Sequence, residues 1–192
     1  MVRNQIVREE ARTSLTRDEF LASLGCTVTF LPILDSSQKE FPRVFELVNK
    51  TNQFNTTGKR WTNMEISQFF AGGGRIAAFR AKDRFADYGL IGALFAIGTD
   101  IVQFVMSCRV LGMEIEQYAM SQAVAQLRSE YPNTATIARF RETADNTVCR
   151  DVFPKAGFRL AERDGPDLRF EIGFSDPLRT PSHIKMEFQA PA

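Results

Sequence analysis

The stretch from Ile101 to Glu130 constrains this chain more than any other. Ile101–Met106 is an apolar run of strand length, and it passes through Ser107-Cys-Arg-Val-Leu-Gly112 into a helical pattern that stops before Pro132. A further strand, Thr134 to Phe140, follows at once. Strand, long helix and strand again is a crossover unit, so the sheet must pair parallel at this point. The turn at Gly112 opens a helix N-terminus, whose unpaired N–H groups and dipole suit it to a phosphate.

The rest of the chain supplies elements of both kinds. Met1 to Gly25 offers a charged helix from Val2 to Arg12, then a capping box at Thr16 and Glu19 before Phe20-Leu-Ala-Ser-Leu24. Its apolar stripe is too thin to fold alone, so residues 1–25 are expected to be a helical linker packed either on a domain of residues 26–176 or on something that precedes it. Thr27 to Ile33 alternates as a strand, and Gln38 to Asn49 carries Phe41, Val44, Phe45 and Val48 at helical spacing. A polar loop, Lys50 to Trp61, leads to a helix boxed by Thr62 and Glu65 and ended by Gly72-Gly-Gly74. Three strands then follow with tight connections, Arg75 to Ala81, Tyr88 to Gly98 and Asp100 to Ser107. Beyond the crossover come a helix, Thr147 to Ala156, and strands Phe158 to Glu162 and Leu168 to Phe174. The tail, 177–192, is expected to be poorly ordered. The layout is α/β on a mixed, mostly antiparallel sheet flanked by helices.

Several function classes are disfavoured by composition. With 24 basic and 23 acidic residues and no basic stripe, nothing supports nucleic-acid binding by phosphate neutralisation. The longest apolar run, Leu90 to Ile97, is too short to span a bilayer, and Met1 to Ser14 is too charged for a signal peptide. Three widely spaced cysteines, Cys26, Cys108 and Cys149, suit a reducing cytoplasm. A single histidine, His183, excludes Ser/His/Asp catalysis within the main domain and histidine-rich metal sites, so no metal is expected. Gly72-Gly73-Gly74 lacks the Lys-Ser/Thr of a phosphate loop.

Two strings carry a resemblance. Arg109-Val-Leu-Gly112 and Asn146-Thr-Val-Cys-Arg-Asp-Val-Phe153-Pro-Lys-Ala-Gly157-Phe158 resemble motifs of the GNAT acyltransferase superfamily. The resemblance implies a GNAT fold. It implies that the turn Arg109, Val110, Leu111, Gly112 and Met113 holds the phosphate of coenzyme A or of a carrier protein's phosphopantetheine arm. It also implies that Asn146 and Phe153 lie beside that arm. Two departures stand out. Glu114 takes the place of a small residue next to the phosphates, and Phe153 that of the tyrosine that protonates a leaving thiolate. A carboxylate about 5 Å from a pyrophosphate costs on the order of 1 to 3 kcal/mol, which disfavours coenzyme A more than a single phosphodiester.

Four further strings narrow the resemblance: Phe20-Leu-Ala-Ser-Leu-Gly25, Thr51-Asn-Gln-Phe-Asn55, Asp83-Arg-Phe-Ala-Asp-Tyr-Gly89 and Met106-Ser-Cys-Arg-Val-Leu-Gly112. They are similar to the carboxy-terminal half of FkbH-like proteins, which serve methoxymalonyl and glyceryl extender-unit pathways in polyketide biosynthesis. This implies an acyl carrier protein as partner, and a haloacid-dehalogenase-like domain of the same full-length protein, to which Met1–Gly25 would be the helical tail.

Candidate residues follow from position. Cys108, at a strand end beside Arg109 and a helix N-terminus, is placed to be a nucleophile or transient acyl carrier; the alternative is a small buried apolar residue. Tyr88 is a second candidate for acid chemistry. Asn52, Gln53 and Asn55 form an uncharged polar loop suited to a hydroxylated acid, or plain turns, and Asp87 shapes a hairpin end or faces the acyl group. Asn146 either bonds the pantetheine amide or caps its helix. The sequence thus reads as an acyltransferase-like domain for carrier-protein thioesters, with the arm entering between the strand ending at Ser107 and the strand Thr134 to Phe140. The alternatives are a non-catalytic docking module and an acetyl-coenzyme A N-acetyltransferase, for which no general base is evident.

Overall fold

The computed structural model describes residues 15–188; the expected helix Val2 to Arg12 lies outside them. Helix α1 (Arg17–Ser23) starts at the Thr16 box, where Glu19 N donates to Thr16 Oγ1 and Thr16 N donates to Glu19 Oε2. It buries Leu21, and Leu24 after it is also fully enclosed. Strand β1 (Thr27–Ile33) follows, then α2 (Phe41–Lys50), with Pro42 in its first turn, where a missing N–H costs nothing. Its buried residues Phe41, Val44, Leu47 and Val48 share one face. The Thr62–Glu65 box opens α3 (Asn63–Ala71).

Strands β2 (Gly74–Lys82), β3 (Asp87–Ile97) and β4 (Asp100–Met106) form an antiparallel meander. The β3–β4 connection is two residues long, and Gly98 supplies its positive φ of 56°. A 3₁₀ turn, Cys108–Val110, leads to α4 (Ile115–Glu130) and strand β5 (Thr136–Arg141). The helix begins three residues later than its apolar pattern suggests, because Gly112 (φ 84°) and Glu114 (φ 62°) adopt left-handed backbone. The expected helix Thr147 to Ala156 is broken into a 3₁₀ turn, Thr147–Cys149, and α5 (Val152–Ala156). Strands β6 (Arg159–Asp164) and β7 (Asp167–Ile172) follow.

The sheet runs β6-β7-β5-β4-β3-β2-β1-β8. Only β4–β5 and β1–β8 pair parallel. Helices α2 and α3 cover one face over Leu31, Val44, Val48, Ile66, Phe69 and Phe95. Helices α1, α4 and α5 cover the other over Phe79, Phe104, Ile115, Val124, Phe140 and Phe153. The architecture is α/β on a mixed, mostly antiparallel sheet flanked by helices, as the strand-helix order implies.

The tail departs from expectation. Strand β8 (Lys185–Phe188) pairs with Thr27–Phe30 of β1, and Ile184 is buried in the α1–α4–α5 core. Four residues after a proline-containing stretch carry too little pattern to be read as a strand; the open edge of β1 supplies the order.

Candidate functional site

The crossover places the turn 107–114 and the end of β4 where the sequence expects them, but the groove between β4 and β5 is filled. The two strands pair only at Asp100–Ile137 and Ile101–Ala138 and then diverge. Residues Phe54–Thr56 of the α2–α3 loop lie in the gap. Thr56 N donates to Phe104 O (3.0 Å), Met106 N to Phe54 O (3.0 Å) and Arg141 N to Thr56 O (2.8 Å), while Phe104 N donates to Thr56 Oγ1 (2.9 Å). Thus the β4 amides of Phe104 and Met106, which face the expected entry for the arm, are spent on the protein's own loop. The groove is not an open channel for the arm.

Asn55 holds this loop in place. It is fully buried, and its Oδ1 accepts from Gln103 Nε2 (2.7 Å), Gly58 N (2.9 Å) and Thr57 N (3.3 Å). Gln103 in turn accepts from Trp61 Nε1 at 2.5 Å, and Trp61 stacks on Phe95 with ring centroids 5.6 Å apart. Asn146 completes the network. Its Nδ2 donates to Asn55 O (2.9 Å) and Arg141 O (2.8 Å), and its Oδ1 accepts from Thr143 N (2.9 Å). Neither reading of Asn146 survives: its side chain caps no helix and is used up inside the fold. The expectation for Asn55 as a ligand contact is corrected for the same reason. Gln103 and Thr56 went unnoticed in sequence; the signal for Gln103 was an amide in the middle of an apolar strand.

The turn that resembles a phosphate cradle also points inward. Val110 N donates to Ser107 O, Leu111 N to Cys108 O and Met113 N to Val110 O, and the Val110 and Met113 side chains are core. At the α4 N-terminus Glu116 stands in the first turn, where a protein carboxylate complements the helix dipole that the sequence suggests for phosphate. Burial raises the Glu116 pKa, and Glu114 raises it further against the helping charges of Lys155 and Arg17; one oxygen, Oε2, is buried without a partner. A carboxyl whose folded pKa exceeds its unfolded value binds more protons in the native state, so its contribution to stability falls as pH rises through that range. Glu116→Gln is therefore expected to stabilise the protein at pH 7–8, with the gain vanishing towards pH 4; urea melts across that range test it.

Glu114 gathers both ends of the described chain. Arg17 of α1 lies 3.4 Å from its Oε1, and His183 Nδ1 lies 3.9 Å from its Oε2 while His183 Nε2 is 3.2 Å from Met113 O. The single histidine, in a tail expected to be poorly ordered, thus sits on the turn.

Other candidate residues lie outside the groove. Asn52 and Gln53, both exposed, precede Phe54, which pairs with Met106 at the end of β4, and exposed Cys108 follows Met106 by two residues. Arg109 Nη2 donates to Tyr88 O (3.3 Å) and its Nε to Ser107 Oγ (3.2 Å), tying the turn to the start of β3. Asn52 Oδ1 accepts from Arg60, whose Nη1 also reaches Val48 O and Thr51 O at the end of α2. Tyr88 donates its hydroxyl proton to Asp83 Oδ2 (2.8 Å), so it is committed to the 83–87 loop and is not a poised acid. Asp87 accepts from Gly89 N (2.8 Å), the hairpin-shaping role. Gly112 is exposed and forms the left-handed corner of the turn. Phe153 is core, packed on Phe158 and Phe170 at 5.6 and 5.4 Å.

The three thiols differ sharply. Cys108 is exposed, whereas Cys26 and Cys149 are buried and burial pushes the Cys149 pKa up to about 12. Native protein is expected to release one fast equivalent of thionitrobenzoate per chain from Ellman's reagent, and three after denaturation. A second fast equivalent would contradict the packing. Among the described residues no cluster of metal-binding side chains occurs, and no helix is long and apolar enough to cross a membrane.

Comparison with solved structures agrees with the fold. A spermidine N-acetyltransferase from Vibrio cholerae, solved with CoA and spermine, aligns with TM-score 0.53 at 12% identity over 78% of this chain and 96% of that one. A putative acetyltransferase from Acinetobacter baylyi ADP1 aligns with TM-score 0.52 at 11% identity, covering 79% of this chain and 96% of its own. A domain from Methanocaldococcus jannaschii DSM 2661 aligns with TM-score 0.57 at 10% identity over 77% and 99%. The chain has the fold of the GNAT acetyltransferases. No family model matches it, and no curated protein does.

Proposed function

We propose that this chain is a GNAT-fold acyltransferase domain that handles an acyl thioester at the outer end of its sheet, with Cys108 as transient acyl acceptor. The observation that carries this reading is an exposed thiol just past the end of β4, next in the chain to Arg109, whose guanidinium is anchored on Ser107 Oγ and Tyr88 O beside a groove closed by Phe54–Thr56. The Cys108 thiolate adds to the thioester carbonyl, the bond to the arm's sulfur breaks, and the arm leaves as a thiolate. That thiolate regains from solvent the proton Cys108 gave up. Thiolate leaves readily, so no tyrosine is needed where Phe153 stands. Arg109 is the cation beside the arm's phosphate, and Asn52 and Gln53 offer amides to a hydroxylated acyl group.

A carrier-protein arm fits better than coenzyme A, because Glu114 and Glu116 flank the α4 N-terminus and penalise the larger charge of a pyrophosphate. If the resemblance of the four strings to FkbH-like proteins is followed, the reading extends to a glyceryl or related thioester on an acyl carrier protein, in concert with a haloacid-dehalogenase-like domain. A second reading, a docking module without transfer, is favoured by the closed groove.

The test is mass spectrometry of the intact chain after incubation with acyl-loaded carrier protein and, separately, with acetyl-coenzyme A. An acyl adduct from the carrier that is lost in Cys108→Ser, while carrier binding persists, is the expected result. Carrier binding with no adduct in the unaltered chain leaves the docking reading; an adduct only from acetyl-coenzyme A overturns the carrier preference.

A further inference from the structure

A cavity of about 300 Å³ lies under the C-terminal half of α4, on the sheet face formed by β1 to β4. It is remote from the site above, since Ile101, which lines it, is six residues up β4 from Ser107, about 20 Å at strand rise. Its walls are apolar, and three of its lining residues are alanines from three elements, Ala77 of β2, Ala96 of β3 and Ala123 of α4. The three alanines leave room between larger apolar neighbours, and a larger apolar side chain at any of them would fill the pocket and gain packing. It therefore looks like space kept for something else.

The rim sets the charge of the occupant. Arg75 pairs with Glu130 and donates to Tyr131 Oη (2.8 Å), and Glu130 Oε1 also accepts from Gln126 Nε2 (3.0 Å). The one cation and the one anion at the mouth neutralise each other, so a charged ligand would have to break a half-buried pair. Gln126 keeps a carbonyl oxygen to accept from a hydroxyl or amide. At roughly 30 Å³ per non-hydrogen atom, the space takes about ten atoms.

We infer that this cavity is a binding site for a neutral, largely apolar small molecule of that size, with one hydrogen-bonding end at the Arg75–Glu130–Gln126 rim. The probe is 1-octanol, set against octanoate and octylammonium, and the readout is methyl NMR of the isotopically labelled chain with thermal melts. Octanol is expected to shift the Ile101, Leu127 and Ala123 methyls saturably and raise the melting temperature. The two ions are expected to bind roughly tenfold more weakly or worse. Ala123→Leu should fill the space and abolish the shifts at Ile101; if that variant fails to fold, Ala77→Val serves with the same expectation. Octanol binding unchanged in the filled variant, no octanol response up to its solubility limit, or octanoate binding as well as octanol would each overturn the proposal.

Discussion

Asn55→Ala is expected to lower the stability of this protein by about 3 kcal/mol, since it strips partners from buried donors. Asn55 has no exposed surface, and its oxygen accepts from one side chain and two backbone amides while its amide group reaches Thr51 O and Lys59 O. The loss is shared with Gln103, whose Nε2 retains Lys59 O at 2.9 Å. A double-mutant cycle with Gln103→Leu should therefore show strong coupling, because removing both polar partners leaves fewer orphans than removing one. For a chain of 192 residues the single change should cost on the order of 10 °C in melting temperature. A drop of less than about 1 kcal/mol in urea unfolding would mean that water readily replaces the network, and that the Phe54–Thr56 segment is held far more loosely than its contacts imply.

Gly92→Ala is expected to be at least as costly, again about 3 kcal/mol or more, for a steric reason. A Cβ at Gly92 would stand 2.0 Å from Phe79 Cζ. Phe79 cannot retreat, since it has no exposed surface and its ring is 5.7 Å from Phe30 and 6.1 Å from Phe104. Phe104 in turn meets Phe54 edge-on at 5.1 Å, so the strain is relayed into the segment that closes the β4–β5 gap. Phe79→Leu added to Gly92→Ala should recover part of the loss, whereas alone it should destabilise. If the double variant is no more stable than Gly92→Ala, the clash lies elsewhere.

Local pattern carried most of the fold. The two capping boxes, the stripe of α2, the tight β3–β4 turn and the crossover through α4 were all legible because each is decided within about a dozen residues. The site was legible only in part. Cys108 stands exposed at a strand end beside Arg109, but Tyr88 spends its hydroxyl on Asp83, and Thr51-Asn-Gln-Phe-Asn55 reads in sequence as a polar loop open to ligand. The burial of Phe54 and Asn55 within it depends on pairing with β4, about fifty residues away, a partner that no local periodicity announces. The same holds for His183 and β8, whose order comes from the turn at Met113 and the edge of β1. Glu114 is the instructive case. In sequence it is a charge in the wrong place for a phosphate, and in the structure it is a joint where Arg17 and His183 meet.

The outermost strands decide whether such a wide sheet stays a single molecule. Eight strands leave two open flanks, each a row of backbone donors and acceptors that a second sheet would match. On one flank every residue of β6 is exposed, and Arg159, Glu162, Arg163 and Asp164 line it with charges of both signs. On the other, Lys185–Phe188 of β8 pair with Thr27–Phe30 and so cover part of the free side of β1. The β6 flank presents no neutral template, so edge-to-edge polymerisation is discouraged there.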